Sequence, residues 1–395
     1  MAKPRIAFLV NGDPTSAMAI RAQSFAQLLA DVFDIEISYR AGDKISAIWQ
    51  FCRRLALRRP ALCYVFDMAF SGVLAAGLHR LTSLCPIVID TGDAIYELSR
   101  STGERGPFGL ALTRVLEWTG FAIADQIVVR SHPHQELLQF QGISADVLPD
   151  GVDTDQFRPC PALDLREKYH LDGSTVIGVL GTIVWSPRWQ MCYGWELIEV
   201  IHRLKDRPVK GVIIGDGSGL PRLKARAQEL GVQDRIVFLG RVPYDELPRF
   251  VSLIDICLST QTNDKPGQVR TTGKLPIYLA CGRFVLSSEV GEAARVLPEN
   301  MLVPYNGTKD PEYPRRLAER IATLLDDPDQ LREGSAAAPK IARQHFDYRV
   351  LAPRLRETME RVLARREARS QSEQASPHAA ASASKVADLK RNEQL

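Results

Sequence analysis

Short apolar runs alternate with amphipathic stretches along residues 1–150. The stretch 15–33 places Phe25, Leu29 and Val32 on one helical face, so it predicts a helix. The runs that predict buried strands are 5–10, 34–39, 61–66, 86–90 and 122–131. Strand–helix alternation of this kind predicts a parallel, doubly wound sheet with helices on both faces.

The pattern restarts in the second half of the chain. Pro159, Pro161 and a polar stretch separate the first series from a second one. The new strand candidates are 176–181, 209–217, 235–240, 255–260 and 283–288. The sequence therefore predicts an α/β protein with two Rossmann-like parallel-sheet domains that face a cleft.

We predict four segments along the chain. They are a first domain over 1–165, a second domain over 166–345, a helix over 346–368 and a disordered tail over 369–395. The tail is rich in Ser, Ala and Gln, and this composition buries too little apolar surface to order a chain.

Charge and cysteine content narrow the class of protein. The net charge of +3 equals the excess in 361–395, where seven Lys and Arg stand against four Asp and Glu. No folded basic face is indicated, so we expect no nucleic-acid partner. The seven cysteines are scattered without a C-x-x-C pair, as in a reducing compartment. No apolar run approaches the roughly 18 residues of a membrane span, so we predict a cytoplasmic protein.

A glycine-rich turn interrupts the segment 211–231. Gly215 ends a buried strand, and Gly217 precedes a helix with Pro221 in its first turn. Glycines at this place let backbone N–H groups approach an anion, although an ordinary tight turn explains them equally well. The turn is not a dinucleotide fingerprint, because Leu220 replaces the third glycine of that motif.

A second candidate for anion binding is QVRTTGKLPIYLACG (268–282). Hydroxyls, backbone N–H groups and two cations converge before a helix, and phosphate binding needs little more. The residues concerned are Arg270, Thr271, Thr272, Gly273 and Lys274. Leu275 stands where a Walker A motif needs Ser or Thr, so the segment is not one. The alternative for Lys274 is a solvated residue at a helix start.

The loop that leaves the first strand of the second domain is the third candidate. Gly181 and Thr182 follow that strand at its carboxyl end, where open α/β sheets bind ligands. Arg188 lies among tryptophans in this loop, so it is a diphosphate ligand or an arginine stacked on an indole ring.

Three stretches resemble the family-4-type retaining glycosyltransferases. They are PDGVDTDQFRP (149–159), the stretch 215–258 and KLPIYLACGRFVLSS (274–288), and the resemblance extends over about 145–345. It implies the glycosyltransferase-B fold, in which a cleft between two Rossmann domains holds a sugar nucleotide. The family needs no metal for catalysis, so we expect no metal and no cofactor besides the donor substrate. Residues 1–144 share only the layout.

The resemblance assigns donor-binding positions. It implies that Gly181 begins the loop under the diphosphate and that Arg188 supplies a phosphate-binding cation, while Thr182 replaces the family's usual Arg. Arg241 falls in the segment that contacts the base. Lys274 falls where a helix start meets the β-phosphate.

Two family glutamates are missing from this chain. Alignment on Ala280-Cys281-Gly282 places Val269 and Ile277 at their positions. The nearest acid is Asp264, beside Asn263, on the loop after a strand. We therefore predict that Asp264 and Asn263 point into the cleft and take over the lost contacts to sugar hydroxyls, with Asp264 in a catalytic role.

The first domain supplies the acceptor-side candidates. Gly12 and Asp13 follow the first strand, and Asp93 follows another, so all three are expected at the cleft. Asp93 is the second predicted catalytic residue. His132 is a further acceptor candidate, and its alternative is a helix-start residue. We find no spacing that suits zinc.

The stretch 45–59 combines arginines with Trp49 and leucines. It predicts an ordinary surface helix, with an interfacial membrane helix as the alternative, so we keep peripheral membrane association as a partner hypothesis. The chain is predicted to be a glycosyltransferase of hexosyltransferase type that moves sugar from a sugar nucleotide to a hydroxyl acceptor with retention. The alternatives are a catalytically inactive binding or scaffold protein of the same fold and a sugar-nucleotide isomerase.

Overall fold

The computed structural model describes residues 3–68, 70–103 and 105–392 and contains two six-stranded sheets. The strands of the first sheet are β1 (Arg5–Val10), β2 (Asp34–Tyr39), β3 (Leu62–Phe66), β4 (Ile87–Thr91), β5 (Gln126–Val129) and β6 (Ala145–Val147). Their order is β2-β1-β3-β4-β5-β6, and every pairing is parallel.

The second sheet repeats this design. Its strands are β7 (Thr175–Leu180), β8 (Val209–Ile214), β9 (Ile236–Gly240), β10 (Ile256–Ser259), β11 (Phe284–Ser288) and β12 (Leu302–Val303). The order is β12-β11-β10-β7-β8-β9, again with parallel pairing throughout. The predicted fold class is confirmed. The order reverses between β1 and β3 and between β7 and β10, and ligands of such sheets bind at the reversal.

Helices cover both faces of each sheet. The first six are α1 (Ala17–Leu28), α2 (Lys44–Arg58), α3 (Phe70–Ser83), α4 (Ile95–Thr102), α5 (Pro107–Ile123) and α6 (His132–Phe140). Those that follow are α7 (Leu163–Lys168), α8 (Trp195–Arg203), α9 (Leu220–Glu229), α10 (Leu247–Val251), α11 (Lys265–Val269), α12 (Lys274–Ala280), α13 (Ala293–Val296), α14 (Tyr313–Asp326), α15 (Pro328–His345) and α16 (Tyr348–Asn392). Two 3₁₀ turns occupy Gln233–Arg235 and Glu299–Met301.

The last helix returns to the first sheet. Leu351, Leu355 and Met359 of α16 pack with Phe25 of α1 on one face of that sheet. Helices α2 and α3 cover the other face with side chains such as Phe51. The C-terminal helix therefore completes the hydrophobic core of the first domain.

The change of core occurs within the interdomain segment. Leu148 packs in the first core, whereas Val152, Phe157 and Leu165 pack in the second. By packing, the second unit begins near residue 150, about fifteen residues before the boundary that the sequence predicts at 165.

Helix α16 runs on to Asn392. The sequence predicts a helix to residue 368 and a disordered tail beyond it, and the high helix propensity of Ala, Lys and Gln accounts for the continuation. Residues 393–395 of the predicted tail lie outside the described residues.

Candidate functional site

The carboxyl ends of the two sheets face each other across a cavity of about 1060 Å³. Segments that follow β1, β4, β5 and β6 line one wall, and segments that follow β7 and β9 line the other together with the start of α12. Eight residues predicted from the sequence line it, namely Asp93, Gly181, Thr182, Arg241, Arg270, Thr271, Gly273 and Lys274. The cavity is the predicted cleft, and it collects most of the predicted donor-site residues.

The glycine-rich turn supports this cavity from behind. A Cβ on Gly215 would lie 1.9 Å from the Gly181 carbonyl oxygen, and one on Gly217 would lie 2.3 Å from the Ile183 carbonyl oxygen. Both glycines also have φ values, +142° and +148°, that L side chains rarely adopt. Neither lines the cavity. Their structural task is to let the loop after β8 pack against the loop after β7.

Lys274 lies in a poorly solvated part of the wall. Its Nζ atom is 3.3 Å from the centroid of the Tyr193 ring and close to Gly181. Burial lowers the pKa of Lys274 to about 7, with a smaller contribution from Arg270, while Glu196 acts in the opposite direction. Within the described residues, no carboxylate forms an ion pair with this ammonium group. Among the described residues its charge is therefore balanced through the longer-range interaction with Glu196 and not by an ion pair.

Glu196, at the start of α8, is the acid whose charge raises the pKa of Lys274. It is buried, and this burial raises the pKa of its carboxyl group to about 7, while Lys274 lowers it. Nothing in the sequence marks Glu196 as a site residue, because a glutamate in the first turn of a helix is common.

Arg241 is the second cation of this wall that forms no ion pair among the described residues. It is exposed at the cavity and lies near enough to Asp13 to lower the pKa of that carboxyl, to which Thr15 contributes more by hydrogen bonding. Asp13 accepts from the Thr15 backbone N–H at 2.8 Å. Asp13 thus stands at the edge of the cavity, while its neighbours Pro14 and Thr15 line it.

Two polar contacts join the walls beside the cavity. The Arg270 guanidinium binds Asp93, with Nε to Oδ1 at 2.8 Å. The Thr271 hydroxyl donates to Asp150 Oδ2 at 2.8 Å. The segment predicted to bind phosphate is therefore held against the first domain by the residues next to Lys274.

A buried ion cluster forms the floor on the first-domain side. Asp90 is fully buried and accepts from Arg21 Nε at 2.9 Å, while Arg130 Nε lies 3.3 Å from its other oxygen. Arg21 also donates to the Pro149 and Leu148 carbonyls at 2.6 and 2.9 Å. Each charge of this floor has a protein partner.

The end of β4 predicts that Asp90 faces the cleft, whereas sequence reasoning missed Arg21 and Arg130, although α1 carries a signal for Arg21. It stands four residues before Phe25 on the face that the helix buries. A charged residue on an apolar helix face is uncommon and predicts a buried partner. Nothing comparable marks Arg130, which simply follows a strand.

Asp264 and Asn263 do not reach the cavity. Asp264 is the N-cap of α11, where it accepts from the Gly267 N–H at 3.1 Å, and its other oxygen accepts from the Ser101 hydroxyl at 2.7 Å. Asn263 donates to the Tyr305 carbonyl at 2.9 Å. Their polar atoms hold local structure and the domain contact, because an Asx residue before a helix satisfies orphan N–H groups.

Arg188 and His132 also contact protein groups elsewhere. Arg188 Nη1 donates to the Arg100 and Ser101 carbonyls at 2.9 and 3.0 Å, at the end of α4. His132 Nδ1 lies 2.9 Å from Glu292 Oε1. Both are contacts between the domains, so the structure brings neither side chain into the cavity.

Gly12 and Thr272 likewise do not line the cavity. A Cβ on Gly12 would collide with Ser16, whose side chain caps α1. Thr272 uses its carbonyl to accept from the Leu275 N–H at 3.1 Å. These two residues shape the turns beside the site.

The positions of the missing glutamates differ in surroundings. Ile277 lines the cavity, so an apolar side chain stands where relatives of the family carry a carboxylate. Val269 is buried, and its carbonyl accepts from the Ser131 hydroxyl at 2.6 Å. The acids that do line the cavity are Asp93, Asp150 and Asp245.

Comparison with known proteins finds a family match within the second domain. Residues 174–327 match the family model described as "Glycosyl transferases group 1", which confirms the resemblance over that range. The chain is 28% identical over 193 residues to a 2-deoxystreptamine glucosyltransferase of Streptomyces kanamyceticus, covering 46% of each chain. It is 31% identical over 218 residues to a GDP-mannose-dependent alpha-(1-6)-phosphatidylinositol monomannoside mannosyltransferase of Mycobacterium tuberculosis, covering 54% of each chain. It thus spans about half the length of these relatives.

Solved structures show that the fold is shared over nearly the whole chain. Anabaena HepE in complex with UDP and glucose superposes with a TM-score of 0.70 at 18% identity, covering 90% of this chain and 99% of that one. Sucrose-phosphate synthase from Thermosynechococcus elongatus superposes with a TM-score of 0.76 at 16% identity, covering 92% and 100%. In the part of the chain that the structure describes, no helix combines the length and apolarity needed to cross a membrane.

Proposed function

We propose that this chain, whose residues 174–327 form a Glycosyl transferases group 1 domain, transfers a sugar from a nucleoside-diphosphate sugar to a hydroxyl acceptor. The observation that carries the proposal is the position of Lys274. A poorly solvated lysine that forms no ion pair among the described residues faces a cavity at the carboxyl edge of a Rossmann-like sheet, beside Gly181. A diphosphate supplies the missing negative charge at the point where this fold binds nucleotides.

The cations that line the second-domain wall are the expected contacts of the diphosphate. Lys274 and Arg241 are the two cations of the second-domain wall that form no ion pair among the described residues. Arg270 is tied to Asp93, so it contributes to the positive potential while holding the domains together. Charge-assisted hydrogen bonds to phosphate are stronger than neutral ones, and a poorly solvated site strengthens them further.

The sugar and the acceptor occupy the space toward the first domain. Asp93, Asp150 and Thr182 line it and accept hydrogen bonds from sugar hydroxyls. In this proposal the departing diphosphate takes the acceptor proton, the configuration of the sugar is retained and no metal takes part. Catalysis then rests on positioning the acceptor and on stabilising the charge of the leaving group.

Ile277 favours a second candidate, a binding protein of this fold that does not catalyse transfer. It presents an apolar side chain to the cavity where the family has a carboxylate. Asp264, the predicted replacement, is engaged as a helix cap and a domain contact. Such a protein binds the sugar nucleotide and leaves it intact.

Calorimetric titration with UDP, GDP, UDP-glucose and GDP-mannose tests the proposal. We expect micromolar to millimolar binding of one base family and release of its nucleoside diphosphate when a hydroxyl acceptor is added. Absence of binding to every nucleotide would contradict the donor site. If the sugar nucleotide binds but no nucleoside diphosphate is released with any of a panel of sugar, inositol and lipid acceptors, the result would favour the binding protein.

The proposal includes a cytoplasmic location, where sugar nucleotides and a reducing environment are both available. All seven cysteines have free thiols, including the buried pair Cys63 and Cys85. Cell fractionation of a tagged chain tests the location, and recovery outside the cytoplasmic and inner-membrane fractions would contradict it.

A further inference from the structure

Helix α5 turns two of its three aromatic side chains outward, while Phe121 packs partly against the core of the first domain. The residues that it buries are Thr113 and Gly120, whereas Phe108 and Trp118 are 83% and 68% exposed. Gly120 packs against Met68, since an added Cβ there would lie 3.4 Å from the Met68 sulfur. A helix that packs on a sheet and faces water shows the opposite arrangement, with its apolar stripe toward the core.

This outward apolar surface continues over the two neighbouring helices. Helix α2 packs against α3 and α3 against α5, so the three form one layer. Eleven of the sixteen exposed large apolar side chains in the described chain belong to this layer or directly follow α3. Those most exposed include Trp49, Leu57, Leu81 and Phe108. Patches of this extent mark interaction sites in proteins that are otherwise soluble.

The charged residues of the layer are predominantly basic. Helices α2, α3 and α5 carry six Lys and Arg residues and a single acid, Glu117. Glu117 is partly buried and accepts from the Tyr96 N–H at 3.3 Å, so it does not offset the arginines. Arg53, Arg54 and Arg59 are exposed and have no acidic partner among the described residues.

An apolar surface bordered by unpaired arginines complements an anionic bilayer. Aromatic and leucine side chains enter the interface between headgroups and acyl chains, while arginines meet the lipid phosphates. A second copy of the chain is a poorer match, because two such faces would bring like charges together.

We propose that the outer face of α2, α3 and α5 docks on the surface of a membrane that contains anionic lipids. The helices lie on the surface and do not span it. None of the eleven exposed apolar residues lines the cavity between the domains. Docking therefore leaves the cavity accessible, and the proposal does not depend on the chemistry performed there.

Flotation of the full chain with vesicles tests this surface. One set of vesicles contains phosphatidylcholine alone and the other contains phosphatidylcholine with phosphatidylglycerol. We expect the protein to float with the anionic vesicles only and to be released by salt. The double variant Arg53→Glu/Arg54→Glu is expected to weaken partitioning about tenfold or more, and Phe108→Ser/Trp118→Ser is expected to weaken it while leaving its salt dependence in place.

Matched controls place the same changes outside the layer. Phe140→Ser replaces an apolar side chain that is 92% exposed on α6, and Lys340→Glu/Arg343→Glu reverses two exposed cations on α15. Both controls should float like the wild type, and all four variants should keep its melting temperature because the replaced side chains are exposed.

Three results would overturn the proposal. They are a wild-type chain that stays unbound with both vesicle types, equal binding to neutral and anionic vesicles, and loss of binding in the controls to the same degree as in the layer variants. A concentration-dependent dimer that Phe108→Ser/Trp118→Ser dissociates, without vesicle binding, would assign the face to a second copy instead.

Discussion

The two walls of the cavity use charged residues in opposite ways. On the first-domain wall, Arg21 and Arg130 are buried and both pair with the buried Asp90. On the second-domain wall, Lys274 and Arg241 face the cavity and form no ion pair among the described residues. Removal of one member of a buried pair leaves an uncompensated charge and destabilises the fold, whereas a poorly solvated charge without an ion pair is available to a ligand. We therefore expect the first wall to be structural and the second wall to bind the anion.

Breaking the paired wall should have the largest effect. Arg21→Met leaves the Asp90 carboxylate buried without its closest partner, so we expect the free energy of unfolding to fall by about 3–5 kcal/mol. Chemical denaturation measures this change. The control Arg5→Met removes an exposed pair with Asp34 and should cost less than about 1 kcal/mol. Equal losses in the two variants would show that the buried cluster is not what stabilises this wall.

Removing the unpaired ammonium should abolish most ligand binding without unfolding the protein. Lys274→Met deletes a charge-assisted phosphate contact of about 1.5–3 kcal/mol, so nucleoside-diphosphate affinity should drop roughly tenfold to a hundredfold. Calorimetric titration measures it. Arg188→Met is the matched control, because that guanidinium binds the carbonyls of α4 outside the cavity. If Arg188→Met lowers nucleotide affinity as much as Lys274→Met does, Arg188 contacts the ligand in the bound state and the assignment of the phosphate contact to Lys274 is contradicted.

The pKa of Lys274 predicts a pH dependence of binding. Burial lowers that pKa to about 7 in the free protein, and a bound diphosphate favours the charged form and raises it. Affinity should therefore be highest below about pH 7 and fall up to tenfold per pH unit above it, until the pKa of the complex is passed. Titrations of wild type and Lys274→Met over the same pH range separate this effect from ionisation of the phosphate. Parallel pH profiles of the two proteins would contradict the assignment.

The smallest effect is expected at the contact between the walls. Asp264→Ala removes the cap of α11 and the bond to Ser101, so we expect a loss of about 1 kcal/mol in unfolding free energy and unchanged nucleoside-diphosphate affinity. Asp43→Ala removes a similar cap from α2, distant from the cavity, and should cost about the same. If Asp264→Ala lowers nucleoside-diphosphate affinity and Asp43→Ala does not, the Asp264 carboxylate takes part in ligand binding.

The candidate site was only partly visible from the sequence. Lys274, Gly181 and Arg241 were selected from motifs, and the structure gathers all three at one cavity. Gly215 was selected for ligand approach, yet its missing side chain makes room for the Gly181 carbonyl. A glycine signals that two groups come close, and the sequence does not say whether the second group is a ligand or the backbone.

Helix α5 shows another limit of the sequence. The segment 122–131 predicts a strand, whereas α5 extends to Ile123 and β5 starts at Gln126. Apolar residues lie on both the buried and the exposed side of α5, so no polar face marks the helical period. Because apolar residues lie on both sides of the helix, its helical period is hard to recognise in the sequence. The apolar residues on the outer side include Phe108 and Trp118, and their exposure suits a membrane surface.

The sequence by itself determined two parallel sheets, since alternating buried strands and amphipathic helices allow few other arrangements. It also determined which turns carry glycines and cations. The tertiary structure alone decided which of those cations stay unpaired. Arg188 and Arg270 find partners in the first domain, nearly ninety and more than a hundred and seventy positions away, and Lys274 finds none among the described residues. The charge state and the availability of a side chain depend on partners and burial across the cleft, and neither is encoded in local spacing.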